Sequence, residues 1–220
     1  MSGTTEQVAR DAVVAAIRRL DALGLNRGST GNASHRWRLD GREGMWITPT
    51  GMGAELTSDD LVHVADDGKV SGRWQPSSEW QFHQAAYRAR PEVQAVLHTH
   101  AVHATALACL ERPLPPFHYM VAVAGGDDVP LVPYSTFGTE ALSHGVAQAL
   151  AQRNACLLAH HGLVSCGSTM AQALKVMVEV ESLCQTYLLA LPAGEPARLD
   201  AAEMARVLEK FRHYGQRASA

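Results

Sequence analysis

His98-Thr99-His100 is the stretch of this sequence best suited to chemistry. Residues two apart on a strand point the same way, so both imidazoles can reach one metal ion. An isolated pair of this kind is more often two polar residues on a wet strand face, and two further features tip the balance. His160-His161-Gly162 closes the apolar run Cys156-Leu157-Leu158-Ala159, where the glycine lets the backbone turn and a metal or substrate approach closely. It offers a third imidazole, with spacing alone leaving His160 and His161 equal. Glu79, in the first turn of a helix, offers a carboxylate, although an acidic residue there also suits the helix dipole. Three neutral imidazoles and a carboxylate fit a borderline-soft divalent ion, best Zn²⁺, a Lewis acid toward developing oxyanions when one coordination position stays open. His103 and His83, one turn beyond His100 and Glu79, read as residues behind the ligands or as structural ones.

A second group of segments suits an anion. Gly28 to Ser34, Thr50-Gly51 and Ser77-Ser78 are small and hydroxyl-rich, and free backbone N–H groups at a helix start hold a phosphate without needing a lysine. Each alone is better explained as a cap or a turn. The chain has 19 Lys+Arg against 22 Asp+Glu, a net charge of −3, and no basic run, so neither a nucleic-acid backbone nor an anionic membrane is an expected partner. No stretch approaches the roughly 20 apolar residues of a membrane span. The polar start Met1 to Glu6 lacks the blocks of a signal peptide, which predicts a cytoplasmic protein with a small-molecule partner. Cys109, Cys156, Cys166 and Cys184 form no C-x-x-C pair and read as packed thiols.

The elements that must position these groups follow from periodicity. Val13, Ile17 and Leu20 share a helical face between about Glu6 and Leu23, with Gly24 as C-cap. Gly28 to Ser34 reads as irregular, and Asp40-Gly41 as the turn of a hairpin between strands near Arg36 to Leu39 and Met45 to Thr48. Ser78 and Gln81 have capping-box spacing, so a helix is expected from near Ser78 to before Pro91. Val93 to His100 alternates as a strand, with Gln94, Val96, His98 and His100 on one face. Further strands are expected at 131–134 and 156–159, and helices at 101–110, 139–152, 169–191 and Asp200 to Tyr214. The sum is a sheet covered by helices, in one domain of the α/β or α+β class.

Taken together, these residues resemble the class II aldolase and adducin family over nearly the whole chain. The resemblance runs through Gly24-Leu25-Asn26-Arg27-Gly28-Ser29-Thr30-Gly31-Asn32, Ile47-Thr48-Pro49-Thr50-Gly51, Pro76-Ser77-Ser78-Glu79-Trp80 and His98-Thr99-His100-Ala101-Val102-His103. It continues through Phe117-His118-Tyr119-Met120, Tyr134-Ser135-Thr136-Phe137-Gly138-Thr139 and His160-His161-Gly162-Leu163. It implies that residues 1–220 form a single three-layer domain, a central, mostly antiparallel sheet flanked by helices. It implies that His98, His100 and His161 hold one Zn²⁺ per subunit, with Glu79 as a fourth ligand or as a carboxylate that moves off to act as base. Gly31, Asn32, Thr50, Gly51, Ser77 and Ser78 would hold a substrate phosphate, with Phe137 lining the pocket and Tyr214 closing it. Tyr119 would reach a neighbouring subunit's site as proton donor, in a homotetramer with active sites at subunit interfaces.

The activity so implied is that of an aldehyde-lyase, which cuts a phosphorylated ketose reversibly between C3 and C4 into dihydroxyacetone phosphate and an aldehyde. Tyr119 would exchange the proton at the C4 oxygen and Glu79 would protonate the enediolate. The same scaffold serves aldolases of 5-deoxyribulose or methylthioribulose 1-phosphate, and also sugar-phosphate decarboxylases, dehydratases and epimerases. The epimerases carry an aspartate where Glu79 stands. A metal-free scaffolding module has no need of the complete histidine set. Two stretches depart from the family pattern, the long hairpin around Arg38 to Gly44 and Met52-Gly53-Ala54; both lie near the expected phosphate loop and bear on substrate choice.

Overall fold

The computed structural model describes residues 2–212. Helix α1 (Ser2–Ala22) buries Val13, Ile17 and Leu20 on one face, as its periodicity requires. Strands β1 (Asn32–Leu39) and β2 (Arg42–Ile47) form an antiparallel hairpin. Asp40 and Gly41 turn it at φ 49° and 80°, the conformation that an Asp-Gly pair supplies. Strands β3 (Val62–Ala65) and β4 (Val70–Ser71) extend the sheet outward. Then come α2 (Trp80–Ala89), β5 (Ala95–Thr99) and α3 (Val102–Cys109). A 3-10 turn at Tyr119–Ala124 leads to β6 (Leu131–Val132), α4 (Glu140–Leu150), β7 (Ala155–Leu158) and β8 (Gly162–Gly167). Helices α5 (Met170–Ala190) and α6 (Ala201–Arg212) follow. The reading of a helix to Tyr214 runs past the described residues.

One eight-stranded sheet carries every strand, in the order β4-β3-β2-β1-β5-β8-β7-β6. All pairs are antiparallel except β6 with β7. Both faces are covered. Ala95 and Leu97 join the side packed by α1, α3, α5 and α6, while Val96 joins the side packed by α2 and α4. The alternation along β5 therefore feeds two cores, and the three-layer α/β class holds.

Some boundaries move for identifiable reasons. Asn32 and Ala33, expected in a loop, open β1 because Asn32 pairs with His98 and the Ala33 carbonyl accepts the Thr48 N–H. Strand β8 gave no alternating signal because it lies inside the sheet with all six residues buried. The Ser78 and Gln81 capping pair does not form: α2 begins at Trp80 after Glu79, and no side chain caps it. Three cysteines are buried free thiols, whereas Cys109 is exposed. Among the described residues no helix is long and apolar enough to cross a membrane.

Candidate active site

Three strand ends meet at one edge of the sheet. Asn32, which starts β1, lies opposite His98 in β5, and Val164 in β8 lies opposite His98 on its other side. His100 follows the end of β5 and His161 precedes β8, so antiparallel pairing delivers both to the same edge. Glu79 arrives from the start of α2, beside a bridge between Pro49 and Pro76.

The ligand atoms of His98, His100 and His161 lie within 4.8 Å of one another. Glu79 joins them, with Oε2 3.4 Å from His98 Nε2 and Oε1 3.0 Å from His161 Nε2. Yet Glu79 Oε1 and His98 Nε2 are buried without a hydrogen-bond partner. Atoms this close that do not bond to each other are aimed at a shared point between them, and orphaned buried donors and acceptors ask for an occupant. His98 Nδ1 donates to the Leu163 carbonyl at 3.0 Å, which leaves Nε2 as a bare lone pair facing that point. Three imidazole nitrogens and one carboxylate are the donor set of a tetrahedral divalent metal, so these residues fit Zn²⁺.

Protonation states agree with that fit. Burial lowers the His98 pKa to about 3 and lowers that of His100 too, so both rings are neutral at pH 7. Burial alone pushes the Glu79 carboxyl up, but the adjoining His98 and His161 and the Asn32 amide outweigh it and hold the group ionised. Gly162 is required here by close approach: a Cβ would run into the Thr99 carbonyl and press on the His98 and His100 rings at 3.3 and 3.2 Å.

In front of this cluster opens a cleft of about 370 Å³. Gly31, Asn32, Thr50, Gly51, Ser77, Ser78, Glu79, Phe137, His100 and His161 line it, so the expected phosphate segments and the expected ligands share one cavity, with His98 sealed behind them. Gly31, at φ 77°, leaves no room for a side chain between Asn26 and the His98 carbonyl. Ser29, Thr30, Pro49, Tyr134, Ser135 and His160 also line the cleft. Ser29 and Thr30 belong to the expected anion segment Gly28 to Ser34, and His160 was the other candidate imidazole; Pro49, Tyr134 and Ser135 had no assigned role, although each stands in a motif that carries the family resemblance. His160 turns away from the cluster to Glu111, 3.1 Å distant. His103 meets Glu181 at 2.8 Å, while His83 bonds Asn32 and Ser34, so both lie behind the site. Tyr119 does not line this cleft; it is 52% exposed beside a separate cavity with Phe117, Leu199 and Phe211. Tyr214 lies outside the described residues.

Comparison with known proteins gives the class first. The family model described as the Class II Aldolase and Adducin N-terminal domain matches residues 11–188, and the chain belongs to this family. An L-fuculose phosphate aldolase of Escherichia coli O6:H1 is 50% identical over 197 residues, 89% of this chain and 90% of the relative. A 5-methylthioribulose-1-phosphate/5-deoxyribulose-1-phosphate aldolase of Rhodospirillum rubrum is 48% identical over 210 residues, 95% and 93% of the two chains. Among solved structures, an L-fuculose 1-phosphate aldolase has a TM-score of 0.87 at 37% identity, covering 93% of this chain and 96% of its own. The chain is an enzyme of the class II aldolase kind, a lyase.

Proposed function

We propose that this enzyme is a Zn²⁺-dependent aldolase that cleaves a ketose 1-phosphate reversibly into dihydroxyacetone phosphate and an aldehyde. The observation that carries the reading is the convergence of His98, His100, His161 and Glu79 on one point at the mouth of a cleft rimmed by Asn32, Thr50, Gly51, Ser77 and Ser78. His98, His100 and His161 would hold the ion, with Glu79 as fourth ligand. When bound, Zn²⁺ supplies a Lewis acid for the negative charge that develops on the ketone and neighbouring hydroxyl oxygens.

The chain's own residues do the rest. Backbone N–H groups and hydroxyls around Asn32, Thr50, Gly51, Ser77 and Ser78 anchor the phosphate, and Gly31 lets the backbone come close. Anchoring makes the bond cleavage effectively unimolecular. Tyr119 accepts the C4 hydroxyl proton as its own phenol proton passes into the cleft, which completes the aldehyde carbonyl, and in the synthetic direction the relay runs back to the C4 oxygen. Glu79, ionised at rest, takes up that proton from the cleft and delivers it to the enediolate carbon, which releases dihydroxyacetone phosphate and leaves the carboxylate ionised again. Tyr119 serves a neighbouring subunit's cleft, in a homotetramer with sites at the boundaries, a reading supported by its place beside a cavity apart from its own chain's cleft. Phe137 lines the aldehyde side. The scene of action is the cytoplasm.

L-fuculose 1-phosphate is the first substrate reading, on the 50% identical relative. The salvage substrates 5-deoxyribulose and 5-methylthioribulose 1-phosphate are the second, favoured by a 48% identical relative matched over more of this chain. The two differ in the aldehyde released: lactaldehyde in the first case, acetaldehyde or methylthioacetaldehyde in the second. Incubating the zinc-loaded enzyme with dihydroxyacetone phosphate and each aldehyde, then identifying the ketose phosphates formed, tests both. No product with any aldehyde would sink the aldolase reading itself.

A further inference from the structure

Behind Glu79 runs an unbroken file of buried polar groups. Asn32 Nδ2 donates at 2.9 Å both to Ser77 Oγ and to Glu79 Oε2. Asn32 Oδ1 lies 2.6 Å from His83 Nε2, His83 Nδ1 lies 2.7 Å from Ser34 Oγ, and Ser34 Oγ lies 2.7 Å from the Tyr87 hydroxyl. Ser34 and His83 are 0% exposed and Asn32 and Tyr87 4%, so water cannot mend a mismatch among them.

The direction of each bond follows from the one at the end. An ionised carboxylate only accepts, so the Asn32 amide must turn its NH₂ toward Glu79 and its oxygen toward His83. That oxygen needs a donor, so His83 carries its hydrogen on Nε2. The ring has no carboxylate bonded to it and is neutral; its bare Nδ1 accepts from the Ser34 hydroxyl, whose oxygen accepts from Tyr87. Phe82 stacks on the ring, centroids 4.8 Å apart at 17°, and fixes its plane.

We propose that His83 is a positioning residue for this site: as the Nε2–H tautomer, held by Ser34 and Tyr87, it locks the Asn32 amide in the single orientation that serves both Ser77 and Glu79. Without the lock the amide can turn over, and its oxygen then faces the Glu79 carboxylate and drives it from its place beside His98 and His161. The effect travels through Asn32; His83 touches no substrate. The proposal deepens the aldolase reading and rests on it.

A double-mutant cycle on the zinc-loaded enzyme, joined to neutron diffraction of the unsubstituted protein, tests it. His83→Leu is expected to lower kcat about 10- to 100-fold while KM for the ketose phosphate changes less. His83→Gln, which keeps a donor toward Asn32 Oδ1, recovers most of that loss. In an Asn32→Ala background His83→Leu costs nothing further, because the interaction it served is gone. The neutron map shows a deuteron on His83 Nε2 and none on Nδ1. Additive losses, a Gln variant as impaired as the Leu variant, or a deuteron on Nδ1 overturns the proposal. Should His83→Leu not fold, Ser34→Ala, which removes the acceptor's partner at Nδ1, takes its place in the cycle. An unsubstituted protein without aldol turnover would sink the functional reading, and the neutron map would still judge the tautomer.

Discussion

In the proposed mechanism Glu79 carries two incompatible demands, since a carboxylate that completes a metal's coordination is a poor base until it leaves. Its surroundings keep it ionised and lightly held: one oxygen takes the Asn32 amide, while the other rests near His161 without a hydrogen bond. Glu79→Gln preserves shape and removes the basic oxygen. Zinc content is expected to survive in this variant while cleavage falls by about 10² to 10⁴. His98→Ala takes away the buried nitrogen whose tautomer is fixed by Leu163, and metal analysis should find the ion lost. Gly162→Ala is the steric counterpart. The new Cβ meets the Thr99 carbonyl, so β5 and β8 must part, at a cost of about 1–3 kcal/mol seen as a lowered melting temperature together with weaker zinc retention. Of the residues involved, the H-x-H pair could be singled out because a strand period of two is a local rule, although that spacing alone favoured a wet strand face and the other candidate ligands were needed to tip the balance. The choice of His161 over His160 could not, because it turns on a single dihedral: His160 sits at φ 54° and bonds outward to Glu111, leaving His161 to face the cluster.

At the scale of elements, the site depends on strands that stop at the right place. β5 ends at Thr99 and β8 begins at Gly162, so their pairing register sets the distance between His98 and His161. The edge is also tied back through small local devices. The 3-10 turn Ser58–Asp60 is closed by Asp60, which accepts from the Thr57 N–H and hydroxyl and from Trp74, and it is gripped by Arg10 of α1. The Thr57 N–H, then its hydroxyl, lower the Asp60 pKa to about 2 from 3.8. A depressed folded pKa means that stability is fully present above about pH 4 and lost as pH falls toward 2. Asp60→Asn should therefore be less stable than the parent at pH 6, with the gap closing between about pH 4 and 2 in denaturant titrations. Helices and the Asp40-Gly41 hairpin were legible because their periods and turn residues are local. β3 was not, although Val62-His63-Val64 alternates, and β8 was not because its run, buried on both faces, does not alternate.

The whole molecule decides how many chains one reaction needs. Tyr119 lies beside a cavity walled by α6, apart from the cleft that holds Glu79. If it serves a neighbour's cleft, Tyr119→Phe and Glu79→Gln are each inactive alone yet complement one another. Activity should return when the two are unfolded, mixed and refolded, with roughly a quarter of sites complete in a random mixture. Mixed protein as inactive as its parents would show that Tyr119 does not act across a boundary.

The sequence by itself determined the candidate ligand types, the strand that leads to two of them, the glycines that admit a close neighbour, and the helices that cover the sheet. Each of these is written in spacing over a few residues. Only the tertiary structure decided that Asn32, Glu79, His98 and His161 meet, that His160 looks away, and that Asn32, His83, Ser34 and Tyr87 form one directed file of hydrogen bonds. Those partners stand up to 82 residues apart, as Glu79 and His161 do, and it is strand order and register, which are set by burial on both faces of the sheet, that bring them within reach.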